Sequence, residues 1–299
     1  MFKKENAYVL VTGALGMIGN RVVETLLANG YKVIALDRVS REETRENRVD
    51  ITLDLSQKEE LTQIFEDYSI GAVIHLAALA HTANEKDLSW ERYYWINVEC
   101  ASNIFEIATK RNIPIVFSST ADVYGITDGR AVTVDSKLNP ISLYAKSKVI
   151  AEEKLREYCE RFNTAAVIAR FAPVYTETLK RDIQKRYYLK EPKIAYRIGK
   201  GMEYEVLRID CLLSTLLGFV KGFETQLQSG LVIKNVKDNE RLKTAEILKK
   251  EREEGRAKFV LYIPKWIAKF LYKTAKLFLG KRNSVYLLYK AVEPLRTED

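Results

Sequence analysis

Cysteine is scarce in this chain of 299 residues: Cys100, Cys159 and Cys211 are three in number and far apart. An odd, wide-spaced set excludes a disulfide framework, and no pair has metal-ligand spacing. Histidine is scarcer, with only His75 and His81, so no metal site is indicated. A long apolar run is also missing. The longest nearly apolar stretch, Ile209 to Val220, carries Asp210 and is too short to span a bilayer. The opening residues Met1–Asn6 include lysines but no apolar core of the kind a signal peptide needs, which predicts a cytoplasmic protein. Internal repeats and low-complexity linkers are absent.

What is present suits a folded protein. Hydrophobic residues make up 47% and charged residues 29%, enough for a large core and two lobes. The net charge of +8 would serve nucleic acid, an anionic membrane surface or a negatively charged small substrate. A lysine-rich solvated surface is the simplest reading of that charge.

Short Val/Ile/Leu runs alternate with helical patterns. Strands are predicted at Ala7–Thr12, Tyr31–Leu36, Val49–Leu53, Gly71–Leu76, Ile113–Ser118 and Ala165–Ala169. A first helix runs to about Ala28 and closes at Asn29-Gly30. A second is expected from Ser56 to Tyr68, with Ser56 and Glu59 as a capping box. Long helices are expected over Trp90–Lys110 and Ile141–Arg161. The alternation predicts an α/β fold, a Rossmann-like doubly wound parallel sheet. Residues 1–170 are expected to form a dinucleotide-binding domain, joined by a strand near 231–236. Residues 171–299 are expected to form mainly a smaller, interleaved substrate lobe, irregular over Tyr187–Lys193 and Arg197–Tyr204.

The turn after the first strand reads Thr12-Gly13-Ala14-Leu15-Gly16-Met17-Ile18-Gly19 and opens a helix. Gly13 permits the tight turn, Gly16 lets backbone approach a pyrophosphate, and Gly19 lets helix and sheet pack closely. Asp37, ending the second strand, suits the ribose hydroxyls of a bound adenosine and repels a 2′-phosphate, which favours NAD over NADP. Arg38 beside it keeps NADP open, because an arginine there can pair with that phosphate. Asp54-Leu55 either flanks the adenine or simply caps a strand end. Small residues Ala77 and Ala78 would let a dinucleotide cross the strand ends.

Tyr144 and Lys148 lie four residues apart, hence on one face of a helix. The ammonium can stabilise a phenolate, which would make Tyr144 an acid and base near neutral pH. Ser118-Ser119-Thr120 falls at the carboxyl edge of the fifth strand, where open α/β sheets place ligands. Each motif alone is ordinary turn or surface chemistry. Their order and placement together are not.

With Asn97-Val98, Val123-Tyr124-Gly125, Arg170-Phe171 and Pro173-Val174-Tyr175 added, the chain resembles the NAD-dependent epimerase/dehydratase family of the extended short-chain dehydrogenase/reductase superfamily, densely over residues 7–176. The resemblance implies Tyr144 as acid/base, Lys148 as its electrostatic partner and ribose ligand, and Thr120 as the group orienting a sugar hydroxyl. It implies a cofactor site of Gly13, Leu15, Gly16, Met17, Ile18, Gly19, Asp37, Arg38, Asp54 and Leu55. Leu76, Ala77, Ala78, Ser118, Tyr144, Lys148 and Phe171 complete it. Ala80, Thr120, Tyr144 and Arg186 would meet the substrate, a nucleotide-diphosphate sugar. Asn97 is implied to be a buried positioning residue, and His75 a packed one, while His81 could face the pocket. A homodimer through the two long helices and a role in polysaccharide synthesis also follow from the family.

Family members that eliminate water resemble Thr-Asp-Glu where this chain has Thr120-Ala121-Asp122. Ala121 has no proton to give, so dehydration is disfavoured. Two chemistries remain: C4 epimerisation through a 4-keto intermediate, and reduction of a 4-keto sugar by NAD(P)H. A dinucleotide sensor or RNA-binding protein on the same fold is a third class, but no nucleic-acid module is recognisable. Cations from Lys180 to Lys193, with Tyr187 and Tyr188, either bind a diphosphate and base or form a solvated helix. Lys265–Leu279 reads as a basic amphipathic helix. Its apolar face is expected to pack on the lobe, with peripheral membrane contact the lesser alternative.

Overall fold

A computed structural model of the chain describes residues 7–41, 45–80, 89–176, 181–184, 186–190, 194–225, 229–280 and 282–298. Met1–Asn6, His81, Lys180, Lys185 and Lys193, which entered the readings above, lie outside the described residues, as do the side chains of Arg181 and Lys190.

The first half runs β1 (Tyr8–Thr12), α1 (Met17–Ala28), β2 (Lys32–Asp37), β3 (Arg48–Thr52), α2 (Lys58–Asp67), β4 (Ile70–His75), α3 (Cys100–Lys110) and β5 (Ile115–Thr120). Then follow α4 (Leu143–Phe162), β6 (Ala166–Phe171), β7 (Tyr188–Lys190), β8 (Ile194–Ile198) and α5 (Ile209–Thr225). The last elements are β9 (Leu231–Val236), α6 (Thr244–Glu253), β10 (Phe259–Ile263), α7 (Lys265–Leu279) and α8 (Asn283–Val292). Two compact units result. The first holds residues 1–120, 143–170 and 212–234, and the second holds 121–142, 171–211 and 235–299.

The first unit is built on a seven-stranded sheet of order β9-β6-β5-β4-β1-β2-β3, in which β1, β2, β3, β4 and β5 pair in parallel. Strands β1, β2 and β4 are buried almost throughout, which is why they read as nearly continuous apolar runs rather than alternating ones. From β1 the chain goes to β2 and β3 on one side, then crosses to β4 on the other. The β1/β4 boundary is therefore the switch point where open α/β sheets leave a crevice at their carboxyl ends. Leu10, Ile34, Val73, Phe105, Phe117 and Leu155 belong to one continuous core.

Two expectations are corrected here. The second helix starts at Lys58 with Gln57 as its cap, and Ser56 caps nothing. Asp54 forestalls it by accepting the Ser56 N–H at 2.9 Å, a local turn that competes with the capping box. The long helix from Trp90 is broken into α-helix over Trp90–Tyr94, a π-helical turn over Trp95–Glu99, and α3. That turn carries the inward-bonded Asn97 described below, and π-bulges commonly serve such positions.

The second unit has its own core, rich in tyrosine: Tyr187, Tyr188, Tyr196, Tyr204, Tyr286 and Tyr289 are all buried. The first segment expected to be irregular contains β7 and the second begins in the end of β8, and both strands belong to a three-stranded sheet of order β10-β8-β7. Cations interrupt the apolar alternation there. Arg197 is exposed between buried Tyr196 and Ile198, with its guanidinium 5.7 Å from the ring centroid of cross-strand Tyr262.

Candidate active site

The Gly-rich turn is held by sterics that leave little choice of residue. Gly13 has φ +68°, and a Cβ there would fall 2.8 Å from the Ala77 backbone nitrogen. At Gly19 a Cβ would fall 2.0 Å from the Gly13 carbonyl oxygen. Around Gly16 only that same oxygen stands near, at 3.1 Å, so the outer side of the turn is open. Gly16 is also the N-cap of α1: no side chain caps the helix, and its first turn holds no acid. The leading amides over Met17, Ile18 and Gly19 are thus left to an outside anion. Asp37 reaches back to this turn, its Oδ2 accepting the Leu15 N–H at 2.9 Å. Arg38 is exposed, and its charge helps hold Asp54 ionised, after the hydrogen bonds from Ser56. Asp54 thus sits in a strand-end turn, and the Leu55 carbonyl accepts from Asn103 Nδ2 at 2.9 Å.

At the carboxyl end of β5, Lys148 Nζ donates to the Ser118 carbonyl at 2.7 Å. The ammonium lies 4.5 Å from the Phe117 ring centroid and 5.9 Å from that of Tyr144, one turn earlier on α4. Lys148 is only 1% exposed. Burial pushes its ammonium down to about 7, against the opposing pull of Glu152. Thr120 ends β5 on the same strand face as Ser118, two residues on, and both it and Tyr144 are half-buried. The hydroxyl of Ser118 donates to the His75 carbonyl at 3.0 Å, tying β5 to β4.

Behind these residues lies a shell that sequence reading only partly identified. Asn97 is buried: its Oδ1 accepts the Leu79 N–H at 2.7 Å, and its Nδ2 donates to the Leu79 carbonyl and to Ser147 Oγ at 2.9 Å. Ser147 in turn donates to the Tyr144 carbonyl at 2.7 Å. Asn97 therefore fixes the loop after β4 to the helix carrying Tyr144. Glu152 and Arg170 form a buried ion pair at 2.7 Å, and Ser119 donates to the same carboxylate. Glu152 was missed, although its spacing of four from Lys148 placed it on the same helix face. His75 is packed between Phe105 and Phe117, with Nδ1 bonded to Thr12 Oγ1 at 2.8 Å. Burial, then the Lys148 charge, pushes its pKa down to about 3, so it stays neutral.

Leu76, Ala77 and Ala78 follow β4, with Ala77 pressed against Gly13, while Ala80 is exposed. Phe171 is buried at the end of β6. In the second unit, Arg186 sits with its guanidinium 4.5 Å from the Tyr204 ring centroid and lines a cavity with Asp122, Glu205 and Lys290. Asp122 is held by Lys290 Nζ at 2.5 Å and by the Tyr286 hydroxyl at 3.3 Å.

Residues 9–208 match the model of the NAD dependent epimerase/dehydratase family. The UDP-glucose 4-epimerase of Bacillus subtilis is 32% identical over 160 residues, covering 50% of this chain and 47% of that protein. A Schizosaccharomyces pombe protein, "Bifunctional protein gal10", is 33% identical over 187 residues, 57% of this chain and 26% of that one. The chain spans about half the length, or less, of these curated relatives. Among solved structures, the UDP-Glc/GlcNAc 4-epimerase from Campylobacter jejuni superposes with TM-score 0.71 at 20% identity, covering 86% of this chain and 88% of that one. The UDP-glucuronic acid 4-epimerase from Bacillus cereus, in complex with UDP-glucuronic acid and NAD, gives TM-score 0.70 at 22% identity, covering 86% of each. Those two likenesses show the fold, and the family match over most of the glycine turn, sheet and Tyr144–Lys148 helix shows that the chain belongs to the NAD dependent epimerase/dehydratase family.

Proposed function

We propose that this protein is an NAD-dependent nucleotide-sugar epimerase that inverts C4 of the sugar through a 4-keto intermediate. One observation carries the reading: Lys148, buried one helical turn from Tyr144, is fixed to the carboxyl end of β5 through the Ser118 carbonyl. That edge also bears the glycine turn. The curated relatives named as 4-epimerases of UDP-glucose support the same chemistry.

The turn fits a dinucleotide. Its uncapped helix end suits the pyrophosphate, the cramped glycines leave backbone rather than side chains facing it, and the Asp37 carboxylate suits adenosine ribose hydroxyls. When bound, NAD supplies the acceptor, and afterwards the donor, of the C4 hydride. Tyr144 takes the proton of the C4 hydroxyl as the alcohol becomes a ketone and returns it after the ketone presents its other face. Lys148 provides the nearby positive charge that favours the phenolate, and Thr120 orients the reacting hydroxyl. Asp122, engaged by Lys290 and Tyr286, is not a free acid for eliminating water. Arg186, a cation beside Tyr204, is a candidate for the substrate diphosphate.

The test needs no choice of sugar at its first step. The purified protein is denatured and the released nucleotide identified, then native protein is offered UDP-glucose, UDP-galactose and their uronic acid counterparts. Near-stoichiometric NAD with interconversion at C4, lost in Tyr144→Phe, is expected. An empty site that prefers NADPH would make the protein a 4-keto-sugar reductase using the same residues. Undiminished turnover by Tyr144→Phe would overturn the assignment of the acid/base.

A further inference from the structure

Helix α7 is turned against the usual logic of a surface helix. Its inward side is Ala268 and Tyr272, which are buried, whereas Trp266 is 72%, Phe270 61%, Leu277 79% and Phe278 81% exposed. The expectation that its apolar face packs on the lobe is thus corrected: Ala268 and Tyr272 face the core, whereas Trp266, Phe270, Leu277 and Phe278 face outward. At 3.6 residues per turn, the exposed apolar residues fall within one arc. Strand β10, joined to α7 through Pro264, adds exposed Phe259, Leu261 and Tyr262. Patches of this kind mark interaction surfaces.

Charge identifies the occupant. From Arg256 to Val292 the sequence holds nine Lys and Arg and no Asp or Glu. Outside that stretch, 39 Lys and Arg are balanced by 40 Asp and Glu, so the whole basic excess of the chain resides here. Lys269 and Lys276 pair with Glu293 and Asp128, both from outside the stretch. Among the described residues, Lys258, Lys265, Lys273 and Arg282 form no ion pair. A second copy meeting this face through two-fold symmetry would set cations against cations, and lysine is depleted from protein interfaces. Aromatic and aliphatic side chains bordered by lysines are instead the composition of a helix lying in a bilayer interface. No helix among the described residues is long and apolar enough to cross a membrane.

We propose that α7, with β10, docks the second unit on an anionic lipid surface. Trp266, Phe270, Leu277 and Phe278 enter the headgroup–acyl boundary, and Lys265 and Lys273 meet the lipid phosphates. The proposal stands independently of the catalytic reading.

The test is cosedimentation of the full chain with vesicles of phosphatidylcholine alone or mixed with phosphatidylglycerol. Binding to the anionic vesicles that weakens with salt is expected. Lys265→Gln/Lys273→Gln should lower the partition coefficient about 30-fold. Trp266→Ser/Phe270→Ser/Phe278→Ser should abolish binding while leaving Tm unchanged, because those side chains are already exposed. Failure to bind anionic vesicles, or undiminished binding by the triple variant, would overturn the proposal. So would an oligomer in sedimentation velocity that the triple variant dissociates, with vesicles left unbound: a second copy would then cover the face.

Discussion

Lys148 is where the proposed chemistry and the stability of the fold pull in opposite directions. The ordinary lysine pKa of 10.5 is driven down to about 7 in the folded chain, chiefly by burial. From about pH 7 upward the folded protein sheds this proton, whereas the unfolded chain keeps it until about 10.5. Across that window the unfolded state binds more protons, so stability rises with pH, by at most about 1.4 kcal/mol per pH unit from this one group. Between about pH 6.5 and about pH 9.5 the accumulated gain is about 3 kcal/mol. Lys148→Met keeps the apolar stem and removes the charge, so it should lack this rise. Near neutral pH the variant should be the more stable protein, by about 2–3 kcal/mol once the lost bond to the Ser118 carbonyl is set against the relieved desolvation. Urea unfolding of both proteins at several pH values, with nucleotide removed, measures the difference directly. A difference independent of pH, or a variant less stable near neutrality, would refute the account of Lys148 as a buried charge. The same variant should lose turnover, which separates a functional lysine from a structural one.

Other outcomes follow from the same geometry. Tyr144→Phe should lower turnover by about 10²–10⁴ with bound nucleotide unchanged, read from released NAD and from C4 interconversion. Gly19→Ala places a Cβ 2.0 Å from the Gly13 carbonyl oxygen, so the variant should lose nucleotide binding and drop in Tm. Glu152→Gln leaves Arg170 buried without a full counter-charge, and should cost about 3–5 kcal/mol in urea unfolding. Because Glu152 also opposes the burial of Lys148, the pH at which the lysine titrates should move lower in that variant.

Much of the site was legible because its causes are local or periodic. Glycine at position 13 is called for by a positive φ and at position 19 by backbone clearance within the same turn, and the pattern Tyr144-x-x-x-Lys148 needs only helical spacing to put both groups on one face. Ser56 shows the limit of local rules. It had the residue spacing of a capping box, yet a nearer carboxylate, Asp54, took its N–H. The π-helical turn was out of reach for a different reason. Asn97 bonds Leu79 and Ser147, 18 and 50 residues away, and no local propensity encodes such partners.

The sequence by itself determined the parallel α/β sheet, the nucleotide-suited turn and the Tyr–Lys pair, since each follows from apolar periodicity, steric clearance or fixed spacing along one chain segment. Tertiary structure alone decided that Lys148 is desolvated against Phe117, that Glu152 and Arg170 neutralise each other beneath it, and that α7 turns Trp266 and Phe278 outward. Burial and pairing are properties of what the rest of the chain brings to a residue. An amphipathic pattern says that a helix has an apolar side, but only packing says which way that side faces.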